Sequence, residues 1–452
     1  MTSRRIAPIL FFPLLLLFCA TAAYSQQGEK APEPVKKYRN IPIGPFVLDF
    51  SGNIRLRYEY QSGFDVRRYT PETSDQFLLE RIMFDLNLRL DTSRRFFLQF
   101  RDAHALGSHL GRESFSNSNP MEDLWDIRQA YFEWRQMGFQ NLSLKLGRQQ
   151  ISYGDQRIFG PGLWGNTGRY AWDAALVRLD TKPLWLEAWA GRPIKNRPEV
   201  WPNRAFKAPT AFVLYSGIKG LPCRLDVFYT AKYDRRWQTQ GELGKGDILS
   251  HSMGFQLQKA PGKGLDYGAA FIGQAGRYGS DKIHAFGANS SVGVTIPWKW
   301  RPRLAGQFTW GSGDRDPGDG IHGTFDGVFG GADINFYGDL NLFFWANLRD
   351  YEWDLHFSPI SGWKVFVEHH YFTLDRARDA WYTTGLAVLR RDPQGRSGKD
   401  LGHEINLRLS LQLGKNLQLF TGWGRFLPGA FVKATGAANS ASGYFLQASY
   451  EF

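Results

Sequence analysis

The chain has very little cysteine: 2 residues in 452, Cys19 and Cys223. Cys19 falls in the apolar stretch near the N-terminus, which leaves Cys223 alone in the remainder. That excludes an intrachain disulfide framework and a cysteine-rich metal site, and Cys223 reads as an inert strand residue. Past the N-terminal segment there is no run of about 18 apolar residues, so no membrane-spanning helix is expected. No Gly-x-Ser-x-Gly elbow occurs, and no Ser and His pair falls together on one apolar strand face. No enzyme activity is therefore expected. No repeat longer than a strand-turn-strand unit is visible.

The first residues form the pattern of an export signal. Arg4 and Arg5 supply the charged start, Ile9 to Phe18 a short apolar segment, and Ala23-Tyr24-Ser25 a small-x-small cleavage site. Residues 1–25 are read as a signal peptide for Sec export. Twin-arginine export and lipidation at Cys19 fit less well, because the flanking residues are wrong and Phe18 stands where a small residue is needed. Residues 26–46 carry Lys, Pro and Glu without periodicity and are read as a flexible periplasmic lead-in. Residues 47–452 are then one unit.

Aromatic residues are plentiful: 16 Trp, 19 Tyr and 35 Phe. Yet mean hydropathy is −0.38. An exported, polar-on-average, aromatic-rich chain fits a membrane barrel, whose hydrophobicity is confined to alternate residues. The alternation is visible. Ile405, Leu407, Leu409, Leu411 and Leu413 alternate with Asn406, Arg408, Ser410 and Gln412. Ile54, Leu56, Tyr58 and Tyr60 alternate with Arg55, Arg57 and Glu59. A period of two places the two sets on opposite faces of a strand.

Strands are predicted at about 47–60, 77–91, 94–103, 125–136, 140–148, 171–180, 184–191, 210–219 and 223–233. They continue at about 248–259, 265–277, 283–297, 301–311, 349–358, 363–373, 401–413, 416–426 and 443–452. Every second connection is a tight turn, such as Asp91-Thr92-Ser93-Arg94 or Gly414-Lys415. Most of the others are long, as at 149–170, 312–348 and 374–400. A soluble sandwich has no reason to sort its loops so, whereas outer-membrane barrels do. The chain also ends on Phe452, with Tyr444, Leu446, Ala448 and Tyr450 on the same face. The fold class is all-β: a transmembrane antiparallel up-and-down barrel of about 18 strands in the outer membrane of a Gram-negative-type bacterium.

A barrel of that size leaves an aqueous lumen. By parity the lumen receives Arg55, Arg57, Arg81, Arg89, Arg101 and Arg408 among its cations. Among its acids it receives Glu59, Asp85, Asp350, Glu352, Asp354, Glu368 and Glu404. A basic constriction attracts anions, while charges paired across the lumen only brace the wall.

Several segments resemble the alginate-export family of outer-membrane barrels. They are Asp126 to Trp134, Leu146 to Arg157, Phe336 to Leu340, Asn347 to Tyr351, Lys399 to Ile405 and Gly424 to Gly429. They occur in order, from about residue 45 to the end. The resemblance implies an 18-stranded barrel whose arginine-rich constriction passes an anionic polysaccharide outward. It implies Arg128, Arg148, Arg349 and Arg425 as pore residues, with Glu404 as an acidic partner. Guanidinium forks suit carboxylates because they bind bidentately and stay charged.

Strict alternation gives Arg128, Arg148 and Arg349 the lipid-side parity. They either lie above the hydrocarbon or are turned inward by a bulge, with Gly147 as a candidate bulge site. The glycine-rich loop 149–170 is expected to fold into the mouth and hold Arg157 and Arg169. The expected pore lining is thus Arg57, Arg89, Arg101, Arg128, Arg148, Arg157, Arg349, Glu404, Arg408 and Arg425. Expected partners are outer-membrane lipid, an anionic polysaccharide or oligosaccharide, and periplasmic export proteins. The alternative is a general or small-solute porin.

Other signals carry less. Asp314-Arg315-Asp316-Pro317-Gly318-Asp319-Gly320 has calcium-loop spacing but no closing glutamate, and reads as a solvated loop. His369 and His370 point to opposite faces of one strand, so one metal does not take both. His356 and His370 read as structural. No cofactor or metal is expected. Export excludes nucleic acid as the explanation of the +12 net charge.

Overall fold

A computed structural model describes residues 38–115, 118–139, 141–207, 210–330 and 336–452. The expected signal peptide and most of the lead-in lie outside the described residues. The strands are, in order, β1 (Ile41–Ile43), β2 (Phe46–Ser62), β3 (Ser74–Arg89), β4 (Arg94–Leu106), β5 (Asp123–Trp134), β6 (Leu142–Gln149) and β7 (Trp172–Asp180). There follow β8 (Leu184–Pro193), β9 (Thr210–Ile218), β10 (Arg224–Gln240), β11 (Lys245–Lys259), β12 (Gly264–Tyr278), β13 (Asp281–Thr295), β14 (Arg303–Gly311) and β15 (Ile321–His322). The last are β16 (Leu348–Phe357), β17 (Trp363–Leu374), β18 (Ala380–Thr383), β19 (Ala387–Arg391), β20 (Asp400–Leu413), β21 (Leu417–Pro428) and β22 (Ala441–Glu451), with one helical turn, α1 (Ala430–Ala434), before β22.

β2 to β14, β16, β17 and β20 to β22 form a closed antiparallel ring of 18 strands. Closure is made by β22 on β2, in register from Asn53↔Glu451 to Ser62↔Ser442. A closed ring leaves no edge, so every ladder group in the apolar layer is satisfied within the protein. β1 folds back on the start of β2, and β15 lies along the top of β13. β18 and β19 form a separate hairpin in the loop between β17 and β20.

All 18 predicted strands are present. β10 and β11 run further than expected, as a hairpin that projects above the rim with a register shift between Asp234 and Thr239. Long runs at one rim and tight turns at the other follow the expected alternation. Residues 279–280 and 241–244 are the short connections at the long-loop rim.

Exposure is inverted relative to a soluble protein. In β2, Leu56 and Tyr60 are 44% and 41% exposed, while Arg55 and Arg57 are 4% and 1% exposed. The apolar face meets lipid, and the charged face lines the interior. The C-terminal residue completes the closure. Phe452 exchanges two backbone hydrogen bonds of 3.0 Å with Gly52. Its ring lies over Gly52, where any Cβ would collide with it. It packs between Phe50 and Phe84, with ring centroids at 5.8 and 6.0 Å.

The interior of the long-loop half is filled by a buried aromatic cluster. It joins Ile158 and Phe159 to Phe325, Phe329, Phe343, Trp345, Trp381 and Phe431. Phe343 stacks on Phe372 at 3.7 Å, and Tyr153 on Tyr215 at 3.9 Å. Aromatic residues of the loops thus pack the interior, while others on the strands face the lipid.

Candidate functional site

Two loops meet inside the barrel. Residues 150–171 follow β6, and 312–347 follow β14. Phe159 and Phe329 form a parallel bridge. Phe329 N donates to Ile158 O at 3.0 Å, and Arg169 Nη1 donates to Gly330 O at 2.8 Å.

The first loop is held against the wall of β2 to β5 by arginines. Arg55 Nη1 donates to Leu163 O at 3.1 Å and to Trp164 O at 3.2 Å. Arg57 Nη1 donates to Trp164 O at 2.8 Å, and its guanidinium lies 4.2 Å over the Trp164 ring. Arg81 Nη1 reaches Leu163 O at 3.1 Å. Arg101 donates to Thr167 O and pairs with buried Asp123. Arg128 Nη2 donates to Tyr170 O at 3.0 Å. Carbonyl oxygens orient these guanidinium groups, while Arg57 also pairs with Glu59 at 2.6 Å and Arg101 with Asp123, so the wall is arginine-rich and partly charge-paired.

Arg128 reaches the interior through a bulge. Gln99 pairs with Gln129, and the next pair is Phe100 with Ile127, so Arg128 is the extra residue. An extra residue breaks the alternation, and Arg128 and Gln129 both turn inward. Arg128 is 2% exposed.

Arg148 has no such device, because register continues unshifted through Gly147 on both sides. Gly147 is no bulge; its φ of +119° and its contact with Ala130 O explain the glycine. Arg148 stays on the outward face, bonded to Asp173 at 2.9 Å and to Asn203 O at 2.6 Å. Arg349 is also outward and is anchored by Asp375 at 2.7 Å. Arg425 is exposed on the outward face of β21. These three lie outside the lumen, at the long-loop ends of their strands.

The other expected residues are interior. Arg157 is 4% exposed; its guanidinium lies 4.0 Å over the Phe336 ring, and Nη2 donates to Gln307 Oε1 at 2.9 Å. Glu404 is fully buried and accepts from Leu340 N at 3.1 Å. Arg408 pairs with Glu368 and lies 3.6 Å from Asp339 Oδ1. The wall of β16, β17 and β20 is acidic, with Asp350, Glu352, Asp354, Glu368 and Glu404 all facing in. An arginine-rich wall and an acidic wall thus flank the loop junction.

Arg89 sits at the tight-turn rim, donating to Asn40 Oδ1 at 2.6 Å and Asp49 Oδ1 at 3.0 Å. It lines a cavity of about 450 Å³ together with Arg39, Arg94, Arg95, Arg135, Asp49, Asp85 and Asp91. Five arginines there face three aspartates and Glu133, which pairs with both Arg95 and Arg135, so this vestibule keeps a small basic excess. Among those arginines only Arg89 is an expected lumen residue; Arg95 shares the inward parity of Arg101. Arg135 shares the parity of Glu133 in the predicted strand 125–136, though the strand itself ends at Trp134.

At the other rim Asp314 is buried, while Arg315 to Asp319 are exposed. The expected solvated loop is therefore anchored at its first residue. Glu242, from the connection after β10, joins Asp314 and Asp319 within 4.8 Å. Burial, and then the Glu242 carboxyl, push the Asp314 carboxyl up to about 7.

The barrel is similar to solved outer-membrane porins. Pseudomonas aeruginosa OccK11 (OpdR) matches with a TM-score of 0.56 at 13% identity, over 89% of this chain and 96% of that one. Pseudomonas aeruginosa OpdQ matches at 0.59 and 11%, over 90% and 97%. Acinetobacter baumannii OccAB4 matches at 0.59 and 10%, over 89% and 98%. At such identity these likenesses establish the fold. Comparison with curated proteins gives no match. The family model described as Alginate export matches residues 46–444, so the chain belongs to that family.

Proposed function

We propose that this barrel is a substrate-guided outer-membrane channel for an anionic polysaccharide or oligosaccharide. One observation carries the reading: the vestibule at the tight-turn rim, where Arg39, Arg89, Arg94, Arg95 and Arg135 outnumber by one Asp49, Asp85, Asp91 and the Glu133 that pairs with Arg95 and Arg135. In barrels of this type that rim faces the periplasm. A low-dielectric mouth lined by one excess sign raises the local concentration of the opposite charge. Above the vestibule the solute meets loops folded into the barrel, which supports guided passage over free diffusion. Family membership adds to the reading.

The test is single-channel recording in planar bilayers, with reversal potential in a KCl gradient and added oligouronate. Expected results are anion selectivity and a micromolar-to-millimolar block. Arg89→Ala combined with Arg95→Ala weakens the block at least severalfold, while Arg425→Ala on the outer wall leaves it unchanged. Large ohmic conductance without selectivity or block overturns the reading and leaves a general porin.

A further inference from the structure

The acidic wall has no role in the function proposed above. Asp350 and Glu352 lie on β16, His370 on β17 and Glu404 on β20. Glu352, His370 and Glu404 occupy one row, because Glu352 pairs with His370 and His370 with Glu404. Laterally paired side chains on one face stand about 5 Å apart. Asp350, Glu352 and His370 each bring a ligand-type atom within 4.8 Å of the other two. All four residues are buried, at 0%, 7%, 1% and 0% exposure in the order Asp350, Glu352, His370, Glu404.

Balancing charge is short in this place. Arg408 is committed to Glu368 and Asp339. Arg303 is committed to Asp266 at 2.7 Å. Arg157 hydrogen-bonds to the cluster through Gln307, which donates in turn to Glu352. His370 Nδ1 lies 3.1 Å from both Asp350 oxygens. Carboxylates crowded out of water are costly unless a cation or protons offset them.

A second observation points to a ligand. One Leu340 N–H takes Glu404 Oε1, and Glu404 Oε2 is buried without a hydrogen-bond partner among the described residues. Asn406, one step along the same face of β20 and 0% exposed, sets its buried amide beside Glu404 as its polar neighbour, and its amide oxygen meets no donor among the described residues. The loop at Gly338 closes over this row, and a Cβ there would run into the Glu404 carboxylate.

From this geometry we infer that Asp350, Glu352 and His370 form a divalent-cation site in the lumen wall, which Glu404, laterally paired with His370, joins by turning its carboxylate. A set of carboxylates plus one imidazole suits Zn²⁺ or Mn²⁺ better than a pure oxygen cage suits them. The neighbouring group of Asp354, His356 and Glu368 is the weaker candidate, because Arg408 already holds Glu368. A bound cation offsets the repulsion that this wall exerts on an anionic solute. The inference stands on the wall residues alone and does not depend on the substrate.

The experiment uses the full-length barrel in detergent, stripped with EDTA and desalted. Zn²⁺, Mn²⁺ and Ca²⁺ are titrated separately by calorimetry, and metal retained after dialysis is measured by mass spectrometry. One equivalent of Zn²⁺ or Mn²⁺ is expected to bind at micromolar or lower Kd. His370→Gln and Glu404→Gln are each expected to weaken binding at least tenfold. Heat-modifiable migration on SDS gels confirms that the variants are folded. If a variant does not fold, Co²⁺ absorption of the unaltered barrel reports whether an imidazole is a ligand. Absence of stoichiometric binding, binding untouched by His370→Gln, or Co²⁺ bands without nitrogen ligation overturns the inference. Conductance is not the readout, so failure here leaves the channel reading standing.

Discussion

Replacing Asn166 by alanine tests whether the first loop is pinned as a gate. Asn166 is fully buried. Its Nδ2 lies 3.0 Å from Glu80 O, 3.0 Å from His104 O and 2.9 Å from Met121 O. Its Oδ1 accepts from Arg55 Nη2 at 3.1 Å. One loop side chain thus bonds the backbone of β3, β4 and the segment before β5. The amide has only two N–H groups, so two full donated bonds and one charged accepted bond are lost. Neutral bonds contribute about 1 kcal/mol each and a charged one about 1.5–3 kcal/mol. Water entering the lumen repairs part of this, which leaves about 3 kcal/mol. At about 1.4 kcal/mol per factor of ten, undocking becomes roughly 100-fold more populated. The assay is amide exchange at Arg169 and Tyr170, whose N–H groups bond Pro161 O at 2.7 and 3.1 Å. Exchange there is expected to quicken by about two orders of magnitude, with a noisier and larger single-channel current. Exchange within about threefold of the unaltered protein, with unchanged current, would refute the reasoning.

Two further outcomes are expected. Gly52→Leu places a side chain where the Phe452 ring lies, so β22 no longer closes on β2. The folded, heat-modifiable band is expected to disappear; a normal band would mean that the terminal ring is dispensable. At the opposite rim, the Asp314 carboxyl is raised from 3.8 to about 7. The folded state then holds a proton that the unfolded chain releases. Its stabilisation is complete below pH 3.8 and is lost as pH rises to about 7. Protection of 241–244 and 312–323, corrected for intrinsic rates, is expected to be higher at pH 5 than at pH 8. Asp314→Asn should flatten that difference. Equal protection at both pH values in the unaltered protein would dismiss the coupling between Asp314 and Glu242.

The sequence by itself determined the wall. A strand that meets lipid on one side and water on the other must alternate, and Ile54 to Tyr60 and Ile405 to Leu413 state that alternation residue by residue. Strand count, rim sorting and the inward faces of Arg57, Arg101, Glu404 and Arg408 all follow from a period of two. Parity fails where the period fails. Arg128 is interior because one extra residue in β5 resets the phase, and nothing local in the sequence marks that bulge. Arg148 and Arg349 obey their parity and stay outside, held by Asp173 and Asp375.

The loops were beyond any periodic argument. That Asn166 would bond the carbonyls of Glu80, His104 and Met121 depended on segments far apart in the chain. So did the meeting of Phe159 with Phe329, and of Glu242 with Asp314. The wall is written in nearest-neighbour alternation, which sequence displays directly. The passage through it is built from long-range contacts, and only the closed barrel brings those residues together.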